Sequence, residues 1–480
     1  MVAAEAVPLV KVGGLADVLG ALPSELARRG HRLSLVLPGY RDIARERFGF
    51  APLESFWVSF GGVTQQVNVV HATAPSGLEM VLLESTHFDR PGIYGDPTTA
   101  LGYADSGERF GFFARAVSEW LARSPGAWDV VHVHDYHAAL VPAYLRTTFK
   151  PVFAAAAPRL LFTIHNIAYQ GNFDPELYFR TGLPWELWYP LSPFEFWGKF
   201  SFMKAGIAFS DYVSTVSPRY AAEILTPQFG NGLEGVLAER RDRVLGILNG
   251  IDTTVWNPAD DGKLKSRYDA RSLARKADNK IALRLECGLD RQQTGPLIGI
   301  ISRLVEQKGF DIVAQALPQL VKKGASLVVL GTGSPQYHQL VLDAVKRHPG
   351  RVMAFLKFDD DLAHRIEAGA DLFLMPSRFE PCGLNQMMSL RYGTPPIVRR
   401  TGGLADTVQE FDPATRTGNG FVFDDATPQA LLAAFDRALR VFRDPGLWNA
   451  IRSNGMQGDY SWAHAAQRYE ALYQRMLTQA

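Results

Sequence analysis

Short apolar runs rich in Val, Leu and Ile recur along the chain, and helical patterns separate them. In the first half the runs are LSLVLP (33–38), DVVHVH (129–134), LLFTIHN (160–166) and YVSTVS (212–217). In the second half they are PLIGIIS (296–302), SLVVLG (326–331), DLFLMPS (371–377) and TPPIVRR (394–400). A run that stays apolar without alternating predicts a strand buried on both faces. Stretches such as ALPSELARRG and DIVAQALPQLVKKG predict the covering helices, and strand–helix alternation predicts parallel sheets. The pattern runs twice. It breaks at LNGIDTTVWNP (248–258), where Asn, Gly, Asp and Pro signal turns, and resumes at Pro296 after a charged helical stretch over 259–294. The expected fold class is α/β, with two doubly wound Rossmann-like domains, 1–247 and 248–455, facing an interdomain cleft.

Composition agrees with that division. A chain of 480 residues exceeds the roughly 250–300 that one core supports. With 47% hydrophobic and 21% charged residues it has an ordinary globular balance. A net charge of +1 argues against a nucleic-acid-coating or membrane-surface protein. No apolar run approaches the roughly 20 residues of a membrane span. The start, MVAAEAVPLVK, lacks the pattern of a secretion signal. Cys287 and Cys382 form no CxxC pair, which disfavours a disulfide framework or a thiolate zinc site and fits a reducing cytoplasm.

Candidate chemistry gathers at the strand ends. The pentapeptide GGLAD occurs twice, at Gly13, Gly14 to Asp17 and at Gly402, Gly403 to Asp406. A glycine pair before a helix permits close approach of a phosphate or sugar, and one turn per domain would flank a single cleft. In SRLVEQKG (302–309), Arg303 and Lys308 follow a strand, which suits a diphosphate; a solvated basic loop is the plainer reading. In SRFEPCGLNQ (377–386), Glu380 sits at a strand end and Gly383, Leu384 and Asn385 open the next helix. A carboxylate there can hold sugar hydroxyls, balance positive charge on a reacting carbon, or simply cap a helix. Cys382 reads as a packed small residue rather than a thiol nucleophile. In VHVHDYH (131–137), His132 and His134 share one strand face. That arrangement suits either an HxH metal pair joined by Asp135 and His137, or a strand end presenting one imidazole. The acidic triplet of FDDDLAH (358–364) begins a helix or binds a divalent ion as a DxD motif. VLGTGSPQ lacks the third glycine of a dinucleotide fingerprint.

Together these stretches resemble the bacterial glycogen synthases and plant starch synthases, retaining glucosyltransferases of the GT-B fold. The likeness rests on PLVKVGGLADVLGALP, VHVHDYHAALVPAYL, TIHNIAYQG, VSPRYAAEI, ILNGID, SRLVEQKG, AHRIEAGADLFLMPSRFEPCGLNQ and RYGTPPIVRRTGGLADTV, and spans nearly the whole chain. It implies ADP-glucose as donor, the non-reducing end of an α-1,4-glucan (glycogen or starch) as acceptor, and no required metal. It implies catalytic roles for Glu380, His134, Arg303 and Lys308. It implies substrate contacts from Lys11, Gly13, Gly14, Asp17, Tyr94, Asp105 and Asn249, and from Phe358 against adenine. Cys382, Gly383, Leu384, Asn385, Thr401, Gly402 and Gly403 complete that set. The ending SWAHAAQRYEALY resembles the family's closing helix, expected over 456–480 and packed on the first domain. A homo-oligomer is compatible with all of this.

Val12 replaces the family's Thr in KTGGLADV, and Tyr136 replaces the Trp of HDW. Few residues precede VAAEAVP, which predicts a first sheet trimmed at its edge or a late start. Other readings are a related transferase with a different sugar nucleotide, a non-catalytic glucan-binding protein, and a metal hydrolase built on HxH.

Overall fold

A computed structural model of the chain describes residues 1–96 and 101–479. It divides into two compact units: Met1–Asn249 with Trp462–Ala480, and Gly250–Ser461. Among the described residues no helix is long and apolar enough to cross a membrane.

The first unit is built on one mixed sheet. Strands Val130–His134, Arg159–Ile164, Tyr212–Thr215 and Val244–Gly246 run parallel, in that order. On the other side Ser34–Pro38 pairs parallel with Glu79–Glu84, followed by the antiparallel strands Val63–Thr73 and Ala51–Phe60. A purely parallel sheet was expected, so the antiparallel flank is a correction. Its signal was present: APLESFWVSF buries every second residue from Phe56 to Phe60, as a half-covered sheet requires. The turn FGGV then places Gly61 and Gly62 at φ 61° and 79°, which glycine adopts freely.

Val2 joins the two halves by parallel bridges to Val36 and Val133. Its N–H donates to His132 O at 2.9 Å, and its carbonyl accepts from His134 N at 3.0 Å. The segment expected at an edge therefore lies mid-sheet. Helix Gly14–Arg28 covers the sheet through Leu15, Val18, Leu19, Leu22 and Leu26. Each buried leucine contributes about 1.5–3 kcal/mol. The last helix, Trp462–Thr478, packs against it, and Arg29 grips Glu470 through two bonds of 2.9 and 2.7 Å.

The second unit is a six-stranded parallel sheet. Its order is Val352–Phe355, Ser326–Leu330, Leu297–Ile301, Leu372–Met375, Pro396–Arg399, Phe421–Phe423. Helix Phe310–Lys322 shows why the alternation works: Ile312, Val313, Ala316, Leu317 and Leu320 form one apolar stripe against that sheet. The order reverses around Leu297–Ile301 and Leu372–Met375. Loops beyond the carboxyl ends of such strands are where open α/β sheets hold ligands.

Candidate functional site

In the second unit the two loops leaving these central strands are stitched together. Gln307 Nε2 donates to Phe379 O at 3.1 Å, and Arg378 N donates to Gln307 O at 2.8 Å. Gly309 (φ 69°) turns between them, where a Cβ would stand 2.3 Å from Pro376 O. This frame sets Lys308 Nζ 2.6 Å from Glu380 Oε2, with side-chain exposures of 15% and 8%. Ser377 Oγ donates to the same oxygen at 2.8 Å. Arg303 stands exposed at the end of its strand.

The EPCG loop is held from below by the second GGLAD. Gly403 N donates to Glu380 O at 3.1 Å. A Cβ at Gly402 (φ 44°) would lie 1.9 Å from Glu380 O, and one at Gly403 would lie 2.0 Å from Cys382 O. These glycines therefore let the second GGLAD pack directly on the backbone of the EPCG loop. Thr401, fully buried, precedes the helix Gly402–Thr407. Gln386 completes the lattice: its Nε2 donates to Cys382 O, Gly383 O and Thr407 Oγ1 at 2.9–3.1 Å. Cys382 is buried, as a packed residue should be. Gly383 (φ 70°) and Leu384 lead into helix Asn385–Arg391, and Asn385 Nδ2 ties that helix to Ile301 O at 2.7 Å.

Phe358 is 77% exposed. Beside it Asp359 caps helix Asp360–Gly369 by accepting from Leu362 N at 2.9 Å. Lys357 pairs with Asp359, and Lys263 with Asp360 and Asp361. The triplet is thus a helix start neutralised by lysines.

In the first unit the glycine loop is organised by Glu5. Its buried carboxylate accepts from Val12 N (2.5 Å), Gly13 N (3.0 Å) and Tyr94 OH (3.1 Å). Burial raises its pKa, and the two N–H bonds oppose that. Lys11 pairs with Asp17 at 2.7 Å, and Val12 is exposed. A Cβ at Gly14 would meet nothing within 4 Å. Tyr94 packs on His137, with ring centroids 4.9 Å apart. Asp105 faces Arg90 at 2.6 Å. Asn249, last residue of the unit's first segment, is buried, and its Oδ1 has no partner among the described residues.

His132 and His134 do share a face, with ring centroids 4.0 Å apart. Both nitrogens of His132 are occupied, one by Tyr473 OH (2.8 Å) of the last helix and one by Thr163 Oγ1 (2.6 Å). His134 exposes no surface, and its Nδ1 lies 3.0 Å from His165 Nε2. His165 is half-buried as a residue, and burial of its imidazole lowers its pKa to about 3. Asp135, in a left-handed conformation (φ 54°), accepts from His165 N at 2.8 Å. His165, Glu5 and Gln386 were not singled out from sequence. The strand-end position of TIHN was the available signal for the first; the other two carry none outside three dimensions.

Burial keeps these imidazoles neutral: His137 is lowered to about 3, and His132 and His134 well below 6.5. Asp135 is raised by burial to about 7. The histidines bind protons only in the unfolded chain, so their stabilisation is full above pH 6.5 and is lost as pH falls. Asp135 acts oppositely. The expected result is that His137→Gln loses less stability than the parent below pH 6.5. The gap in urea unfolding grows by about 1.4 kcal/mol per pH unit.

Comparisons with known proteins follow the same division. Residues 1–239 match the starch synthase catalytic domain, and residues 288–453 match glycosyl transferases group 1. The chain is 46% identical to a glycogen synthase of Anaeromyxobacter dehalogenans, covering 99% of this chain and 98% of that one. It is 44% identical to glycogen synthase 2 of Geobacter sulfurreducens, covering 98% and 97%. The catalytic domain of starch synthase IV from Arabidopsis thaliana, solved with ADP and acarbose, superposes with a TM-score of 0.90 at 35% identity over 100% and 99% of the chains. Sucrose-phosphate synthase from Thermosynechococcus elongatus, at 16% identity and a TM-score of 0.62 over 100% and 98%, shares the fold.

Proposed function

The chain belongs to the glycogen and starch synthase family of GT-B glycosyltransferases, and from that premise we propose that it transfers glucose from ADP-glucose to the non-reducing end of an α-1,4-glucan, with retention of configuration and release of ADP. The observation that carries this reading is the Lys308–Glu380 pair, held by two interlocked strand-end loops.

In the second unit, Arg303 and Lys308 receive the diphosphate, with the N–H groups around Gly383 to Asn385 nearby. The exposed ring of Phe358 offers adenine a face. As the bond from the glucose carbon to the phosphate oxygen breaks, its electron pair leaves with ADP. The two cations stabilise that growing negative charge, the work a metal does in other transferases. Glu380 lies close enough to Lys308 to balance positive charge on the glucose carbon and to hold sugar hydroxyls. The acceptor hydroxyl attacks from the face the diphosphate leaves, and a departing phosphate oxygen takes its proton. In the first unit, the neutral His134–His165 pair, joined at 3.0 Å at the ends of adjacent strands, is the imidazole group offered to a sugar hydroxyl. No metal is required, and the reaction takes place in the cytoplasm.

The test is release of ADP from ADP-glucose with glycogen, with and without EDTA, against UDP- and GDP-glucose. Glycogen-dependent release that prefers ADP-glucose and survives the chelator is expected. Loss of activity in EDTA, or equal use of the three donors, would overturn the proposal.

A further inference from the structure

Strands Glu195–Phe196 and Lys199–Ser201 form a hairpin in the first unit, joined by Trp197 and Gly198. Their φ angles are 52° and 74°. A two-residue hairpin with both central residues at positive φ favours Asn-Gly or Asp-Gly. A tryptophan there is sterically disfavoured, and this one is 84% exposed. No burial of the ring compensates for the backbone it occupies.

The turn is nevertheless clamped. The Glu195 carboxylate accepts from Gly198 N at 2.6 Å and from Leu191 N at 2.7 Å. A second left-handed turn, Asn231 and Gly232 (φ 51° and 86°), presses on the tip. A Cβ at Gly232 would stand 2.9 Å from the Phe196 ring and 3.5 Å from Trp197 Nε1. Gln170, itself buried, fixes that turn by donating to Asn231 O at 2.9 Å and accepts from Asn172 Nδ2 at 2.9 Å. Strand Asn172–Phe173 pairs with Lys199–Ser201. Strain held by a surrounding frame points to use of the strained group. The frame is continuous with the candidate site, because Gln170 lies on the loop that starts at His165 and leads into strand Asn172–Phe173.

We propose that Trp197 is a stacking platform for a glucose ring of the α-glucan, at a subsite remote from the reacting end. The electron-rich indole face complements the C–H face of a pyranose. The Asn231 amide and the neighbouring backbone supply polar partners for its hydroxyls. Leu191, bound through its N–H to the same Glu195, is exposed as well, so a contact between copies of the chain is the rival occupant that the test separates. This inference rests on the glucan-transfer reading.

Trp197→Asn tests it, because Asn-Gly suits the turn and the fold is retained. Glycogen binding without donor, read by affinity electrophoresis, is expected to weaken at least 10-fold. The KM for glycogen should rise in parallel, while kcat and the KM for ADP-glucose hold within about twofold. Trp197→Phe should restore most of the binding. Glycogen binding by Trp197→Asn within twofold of the parent overturns the proposal. So does a loss of self-association on sedimentation with binding intact, which would mark a contact between copies. Binding is measured without turnover, so failure of the parent to release ADP would count against the transferase reading and leave the Trp197 comparison decisive.

Discussion

Replacing Glu380 or Lys308 by alanine is expected to lower turnover by about 10²-fold or more, equivalent to about 2.7 kcal/mol or more of barrier. The two side chains lie 2.6 Å apart and largely out of water, so neither acts alone. Removing one leaves an uncompensated buried charge and releases the other from its position. The losses should therefore be strongly non-additive, with the double variant little worse than the poorer single one. Glu380→Gln separates position from charge. It keeps an oxygen for Ser377 and Lys308 but cannot balance positive charge on the glucose carbon, so it should stay well below the parent. Steady-state ADP release at saturating donor and glycogen reads all four proteins. Near-normal rates in both alanine variants would refute the site.

The second large effect concerns a glycine. Gly402→Ala drives a Cβ to 1.9 Å from Glu380 O in a left-handed conformation. The obstacle is backbone, so the EPCG loop must shift. Overpacking of this kind costs about 1–3 kcal/mol, and displacing Glu380 should reduce kcat at least as much as altering its chemistry. Gly14→Ala, in the other copy of the pentapeptide, adds a methyl where nothing lies within 4 Å and no positive φ is required. It should leave thermal stability unchanged or slightly raised. Thermal unfolding with far-UV CD reads the contrast. If both substitutions behave alike, the account of the second copy is wrong.

That contrast also marks how far the sequence could be read. Two identical pentapeptides predicted two helix starts, and both exist, one opening Gly14–Arg28 and the other Gly402–Thr407. Which copy packs against its own chain was illegible, because the partner carbonyls of Glu380 and Cys382 are some twenty residues away. The eight strand runs were legible because strands buried on both faces must be continuously apolar. The hairpin from Ala51 to Thr73 was passed over because its alternation belongs to a half-exposed sheet. Arg303, Lys308 and Glu380 stand at strand ends, where doubly wound sheets bind ligands, so topology alone pointed to them. Glu5 is a single carboxylate in an alanine-rich stretch, and only folding reveals its three donors.

The helix Trp462–Thr478 belongs to the first unit although it follows the whole of the second in sequence. On the ribosome, residues 250–461 emerge as one uninterrupted stretch and have all they need to fold. The N-terminal unit, made first, must wait for Glu470 to meet Arg29 and for Tyr473 to reach His132. Translation thus begins the domain with the imidazole cluster early and finishes it only after residues 462–478 have been read. Removal of Trp462–Thr478 would therefore spare the unit of residues 250–461 and cripple the other.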